Sequence, residues 1–154
     1  MQKFGLGLLL LLFTVSFSSF AQTDTRLRNF NLKNSVAIQG YDPVAYFTQH
    51  KAIKGMKQFA VNAEGVIYYC SSEANKALLV RNYKMYEPQY GGWCAYAMGY
   101  TGEKVEIDPE TYKILDGKLY LFYHTWTNNT LPKWNANEKE LKTKADKSWT
   151  AIFK

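Results

Sequence analysis

The sequence predicts an α+β fold in a single domain, on the evidence of two hairpin signals and two helix-start signals. Runs of strand-forming residues flank Glu64-Gly65 and again Asp116-Gly117, a dipeptide typical of two-residue hairpin turns. Ser72 stands in the capping position of a helix that we expect to end near Asn82, and Pro132 fits the first turn of a terminal helix. We therefore expect small antiparallel hairpins with several helices packed on them.

Three further segments complete the predicted order of elements. Val44 to Thr48 has the composition of a strand, and Trp93 to Met98 that of a short buried helix. In the helix after Ser72, the spacing of the apolar residues predicts a buried face. The residues of that face are Ala74, Ala77 and Leu78.

The N-terminus has the three zones of a secretory signal peptide, predicted here as residues 1–21. Lys3 supplies a positive charge, Phe4 to Phe17 is apolar, and Ser19 and Ala21 flank Phe20 in a small-residue cleavage pattern. An uncleaved membrane anchor is the alternative, but a spanning helix needs about 20 apolar residues and this run is shorter. We expect a periplasmic or secreted protein with no stable membrane insertion after cleavage.

The remaining chain divides into a polar, flexible leader over residues 22–34 and one domain over residues 35–154. The full chain carries a formal net charge of +6, but its basic residues are scattered. The densest lysine cluster, over residues 139–147, is interleaved with acids, as on a solvated helix face. This distribution argues against nucleic acid as a partner.

Five ordered segments resemble the YHS domain family, specifically its exported single-domain branch. They are Gly40 to Phe47, Tyr68 to Ser72, Tyr86 to Tyr96, Asp116 to Leu121 and Lys144 to Trp149. The resemblance spans roughly residues 36–150. It implies an accessory role connected with metal ions, because members of this family accompany metal-transport proteins and some metal-dependent oxygenases.

The chain departs from the family pattern at two thiol positions. Metal-associated members carry a cysteine where this chain has Ala45, and a second cysteine shortly after the position of Cys70. Cys70 matches the first thiol of the strand-to-helix junction, and Cys94 matches the cysteine typical of the exported branch. The chain thus has one thiol of the metal-associated pattern, Cys70, and one of the exported branch, Cys94, and it completes neither set of metal ligands.

Four residues are candidate metal ligands, for a copper or zinc ion. Cys94 lies near a predicted helix start, where a thiolate is favoured, and Met98 follows one turn later, giving the soft donors that Cu(I) prefers. Cys70 and His124 are the other two candidates. Each also has a structural interpretation, as a core residue or, for the two cysteines, as partners in a disulfide.

An aromatic pocket facing Cys94 is the second part of the site hypothesis. Its expected residues are Tyr41, Asp42, Tyr46, Trp93 and Tyr96. The alternative for Asp42 is a purely local role, since an aspartate before proline is a turn former.

Three functions follow as hypotheses. The first is an exported YHS-type accessory module that binds a metal ion through the cysteine-containing aromatic pocket, or serves an envelope protein partner. The second is a non-catalytic interaction or ligand-binding domain whose cysteines are structural. The third is a thiol redox protein. The chain has no ordered catalytic signature, so we assign no catalytic residues and favour a role other than that of an enzyme.

Overall fold

A computed structural model describes residues 24–152. The predicted signal peptide, residues 1–21, lies outside the described residues, as do the first two residues of the predicted leader. Within residues 24–152, no helix has both the length and the apolar character needed to cross a membrane.

The fold is α+β, as predicted. Its larger sheet contains four short strands, β1 (Leu32–Lys33), β2 (Val36–Ala37), β3 (Ala60–Ala63) and β4 (Val66–Tyr69), in the order β1-β2-β4-β3. Neighbouring strands run antiparallel except for β2 and β4, which are parallel through Val36 and Ile67. The hairpin predicted around Glu64-Gly65 joins β3 to β4.

Two hairpins form the remaining strands. The longer one, with its turn at Asp116-Gly117 as predicted, has a bulge between Asp108 and Tyr112. It consists of β5 (Asp108–Leu115) and β6 (Lys118–Phe122). The short pair, β7 (His124–Thr125) and β8 (Asn128–Asn129), follows directly.

Helices cover these hairpins. Residues 24–29 are helical and are called α1. The others are α2 (Ala45–Thr48), α3 (Glu73–Arg81), α4 (Tyr83–Tyr86), α5 (Ala95–Tyr100), α6 (Leu131–Ala136) and α7 (Glu138–Ile152). Helix α5 packs so closely on α7 that a Cβ atom at Gly99 would lie 2.4 Å from the carbonyl oxygen of Leu141. Only glycine permits this approach.

The core is divided into two clusters of buried side chains. The larger cluster lies between the four-stranded sheet and β6, and includes both cysteines. The smaller cluster is aromatic and centres on Trp134, which is fully buried between Tyr120 and Phe122. Because β6 sends alternate side chains to the two clusters, with Leu119 and Leu121 in one and Tyr120 and Phe122 in the other, it joins them into one domain.

The segment expected to be a flexible leader is packed on the domain in its described part. Arg26 in α1 is 7% exposed, and its guanidinium donates to both carboxylate oxygens of Glu87, at 3.0 and 2.7 Å. Tyr68 donates to the same carboxylate at 2.7 Å. Phe30 packs against Trp149 of α7. The sequence predicted a flexible leader because the segment is polar and the partners that hold it lie far along the chain.

Two local predictions were wrong, and the side chain of Asp42 accounts for both. Val44 to Thr48 is predominantly the helix α2 instead of a strand, since Asp42 Oδ1 accepts the N–H groups of Val44 and Ala45 at its start. Helix α3 buries Asn75 and Leu79, while Ala74 and Ala77 are exposed. Its inward face is set by Asn75, whose amide nitrogen donates to Asp42 Oδ2 at 2.7 Å.

Asp42 is a fully buried carboxylate with five hydrogen-bond donors around it. Its Oδ2 also accepts the backbone N–H of Ser71 at 2.7 Å and the hydroxyl of Ser71 at 2.6 Å. A carboxylate is an acceptor at both oxygens, so it can take all five bonds at once. It therefore ties the start of α2 to the junction between β4 and α3.

We expect Asp42→Asn to lower the free energy of unfolding by about 2–4 kcal/mol, since the amide –NH2 must face N–H or O–H donors on one side. Urea unfolding followed by circular dichroism measures this. The matched control is Asp116→Asn in the exposed β5–β6 turn, where we expect a change below about 0.5 kcal/mol. Equal effects of the two substitutions would contradict the structural role of Asp42.

Candidate functional site

Cys94 lies at the start of α5 as predicted, but its thiol is enclosed by protein. The side chain is fully buried, and its Sγ accepts the backbone N–H of Tyr123 at 3.3 Å. Thr130 Oγ1 lies 3.5 Å from the same sulfur and donates its hydrogen to the carbonyl oxygen of Tyr123 at 2.9 Å. Because a hydroxyl has one hydrogen, the thiol is the donor in the contact between Cys94 and Thr130.

Cys70 directly follows β4 and is also fully buried. Burial, with a further contribution from the Asp42 carboxylate, raises the pKa of this thiol to about 12. The thiol is therefore neutral at physiological pH, while metal binding and nucleophilic attack need the thiolate. Both cysteines are free in the structure, so no disulfide joins them.

The other two predicted ligands lie in different surroundings. Met98 is fully buried in the smaller cluster, whereas Cys94 belongs to the larger one, although the two residues are one helical turn apart. His124 lies at the surface with its side chain 42% exposed. Its Nδ1 lies 2.9 Å from Thr111 Oγ1 and 3.2 Å from Asp108 Oδ2.

The four candidate ligands therefore do not fit a common metal centre in this structure. Within residues 24–152, no group of three or more His, Cys, Asp or Glu side chains is arranged to hold an ion. A structural zinc site needs four converging ligands, and soft Cu(I) sites need thiolate or thioether donors that share one cavity. The geometry offers one enclosed thiol in each of two separate places.

The five residues expected to line an aromatic pocket fall into two groups, one over residues 41–46 and one at α5. Asp42 and Tyr46 are fully buried, and Tyr46 donates to the carbonyl oxygen of Pro109 at 2.8 Å. Tyr41 lies on the surface, where its hydroxyl donates to Glu110 at 3.2 Å. The indole of Trp93 donates to the carbonyl oxygen of Asn29 at 2.7 Å.

Tyr96 completes this set of five; it is half-buried on α5 and packs against both clusters of the core. Its ring stacks on that of Tyr100, with centroids 5.3 Å apart and an angle of 13° between the planes. Four of the five side chains thus have a partner that fixes them individually, and Asp42 has several. Tyr41 and Tyr46 are bound to adjacent residues of β5, Glu110 and Pro109, whereas Trp93 and Tyr96 lie at α5.

A groove of about 850 Å³ opens instead on the outer face of the four-stranded sheet. This volume lies within the range typical of small-molecule sites. Its floor is made of half-buried apolar side chains of β2 and β4, and three lysines lie around it. The floor residues are Val36, Ile67 and Tyr69, and the lysines are Lys33, Lys54 and Lys57. Leu32 also borders the groove but packs against the core on the inner face of the sheet.

One wall of the groove has a strained backbone. Ile38 has a φ of +51° and Gln39 one of +52°, and both precede Gly40 at +82°. The left-handed region is a genuine outlier for a β-branched residue such as isoleucine, and residues held there cost about 1–3 kcal/mol each. The strain is held in place by the burial of Ile38 and by the bond from Gln39 Nε2 to the carbonyl oxygen of Ile107 at 2.9 Å.

Sequence reasoning missed this groove because its residues come from distant parts of the chain. Lys33 ends β1, Lys54 lies in the segment before the short 3-10 helix and Lys57 begins that helix, so no spacing in the sequence marks them as neighbours. One feature of the sequence indicated a second sheet face, namely the alternation along β4. Val66 and Tyr68 are buried, and Ile67 and Tyr69 are turned outward.

Comparison with known proteins leaves the family of the chain undecided. No protein-family model matches it, and neither a curated protein nor a solved structure gives a match. The resemblance to YHS domains therefore stays a prediction from the quoted motifs.

The burial of both thiols predicts how they react with a thiol reagent such as dithionitrobenzoate. We expect slow reaction of the native protein at about pH 8, and two thiols per chain once the protein is denatured. A denatured protein that shows no thiol would demonstrate a Cys70–Cys94 disulfide. One rapidly reacting thiol in the native protein would demonstrate an accessible cysteine and support a redox role.

Proposed function

We propose that this protein is an exported, non-catalytic ligand-binding domain of YHS type, in which both cysteines are structural. The observation that carries the proposal is the groove on the outer face of the sheet, with its apolar floor, its lysines and its strained wall. Strained backbone is concentrated at functional sites, because it persists only where the surrounding structure maintains it. The signal-peptide pattern of residues 1–21 supports export.

The structural role of the cysteines is supported by their contacts. The Cys94 thiol fills the space between α5, the end of β6 and the start of α6, and both of its polar neighbours are satisfied. Cys70 occupies the junction where β4 gives way to Ser71 and thus to the Asp42 network. Free cysteines in such surroundings behave as small apolar residues with a weak S–H donor.

The groove can be tested with three probes that share one alkyl chain: decanoate, decanol and decylamine. We expect at least one of them, below its aggregation concentration, to shift the amide NMR signals of β1, β2 and β4. The variant Ile67→Trp fills the groove from its floor, so it should weaken that binding by about tenfold or more. Val36→Phe is a second, milder filling variant.

The matched control is Val80→Trp, which adds the same ring at an exposed position of α3. It should leave probe binding unchanged, and the NMR spectrum of each variant reports whether the fold is kept. Binding of none of the three probes at the groove, in a folded wild-type protein, would contradict the proposed function.

Metal binding through Cys94, the competing proposal, is tested by loading the purified protein with Cu(I) or Zn(II). We expect substoichiometric metal after removal of the excess, with no difference between the wild type and Cys94→Ser, because the thiol is enclosed and hydrogen-bonded. Elemental analysis measures the bound metal. One equivalent in the wild type that is lost in Cys94→Ser would replace the structural interpretation of this cysteine.

A further inference from the structure

The lysines around the groove indicate the charge of the ligand that the groove accommodates. Lys33, Lys54 and Lys57 line the groove together with a single acid, Glu106, and Glu106 Oε2 accepts an N–H from the side chain of Asn31 at 3.2 Å. The lining thus has an excess of positive charge. Clefts lined by one sign of charge raise the local concentration of ligands of the opposite sign.

The three lysines are not equivalent. Lys54 Nζ donates to the carbonyl oxygen of Gln39 at 3.0 Å and lies 4.2 Å from the centre of the Tyr41 ring. Its ammonium group is therefore fixed against the strained wall. Among the described residues, Lys33 and Lys57 have neither an ion-pair partner nor a side-chain hydrogen bond, so their ammonium groups are available to a ligand.

The floor between these charges is apolar. Ile67 and Tyr69 project outward from β4, and Val36 of β2 lies directly beside Ile67. The chain at Gly55 comes so close to β4 that a Cβ atom there would lie 2.2 Å from the carbonyl oxygen of Tyr69. This close packing holds the loop that carries Lys54 and Lys57 at the border of the apolar floor.

We infer that the ligand of the groove is a small anionic amphiphile: an apolar chain or ring on the floor, with a carboxylate or similar acid at Lys33 and Lys57. The inference rests on the proposed function and names the ligand class of the same site. Ammonium groups bind an acid through charge-assisted hydrogen bonds, and these are stronger than neutral ones. The apolar body gains free energy by leaving water, roughly in proportion to the area it buries.

The affinities of the three probes for the wild-type protein, measured by calorimetry, test the ligand class. Decanoate should bind more tightly than decanol by about tenfold, and decylamine more weakly than either. Added salt should weaken decanoate binding and leave decanol binding nearly unchanged, because ions screen exposed charges. Equal or tighter binding of decanol or decylamine would overturn the ligand class and leave the groove as a binding site.

The lysines are tested by the double variant Lys33→Gln, Lys57→Gln. It should lose about tenfold in affinity for decanoate and keep the wild-type affinity for decanol. The matched control removes two exposed lysines of α7, Lys139→Gln with Lys147→Gln, and lowers the net charge by the same amount. Equal losses in both double variants would show general charge attraction and overturn the assignment.

A membrane surface is the other source of an acid beside an apolar chain, and sedimentation with phosphatidylglycerol vesicles distinguishes it. We expect no cosedimentation. Vesicle binding that depends on Lys33 and Lys57, without binding of free decanoate, would overturn the inference in favour of a lipid surface. Failure of the proposed function gives a different result: none of the three probes would then shift the amide NMR signals of β1, β2 and β4.

Discussion

The arrangement of the domain depends on the hydrogen bonds that the buried carboxylate of Asp42 accepts. It accepts the N–H groups that begin α2, the N–H and hydroxyl of Ser71, and the amide of Asn75. A group buried from water costs free energy unless its polar atoms are satisfied, and a charged one costs most. Here five hydrogen-bond donors offset the cost, and their bonds to Asp42 fix the starting points of α2 and α3.

The same residue connects the core to the groove. The backbone N–H of Asp42 donates to the carbonyl oxygen of Ile53 at 2.8 Å, and that of Gly55 to Gly40 at 2.9 Å. These bonds hold residues 40–42 against residues 53–55. The position of Lys54 above Tyr41, and hence one side of the groove, follows from an anchor that lies inside the domain.

The two cysteines illustrate how tertiary surroundings decide the chemistry of a thiol. A thiol beside a helix start can become a nucleophile or a ligand when it is exposed and faces positive charge. Cys94 has the helix start but is buried, and its hydrogen is used by Thr130. Cys70 is buried beside the Asp42 carboxylate, so burial and a negative charge both oppose its ionisation and raise its pKa.

The sequence alone determined the α+β class, both main hairpins and the capped start of α3, because each depends on residues adjacent in the chain. Glu64-Gly65 and Asp116-Gly117 turn the chain locally, and Ser72 caps α3 through the N–H of Asn75. The helix over Val44 to Thr48 begins at a local cap from Asp42 that the strand-like composition concealed. Only the tertiary structure decided that Asn75 faces inward and that the described leader is packed. The candidate site was likewise beyond local signals, because Lys33, Lys54 and Lys57 meet only after the sheet brings their segments together.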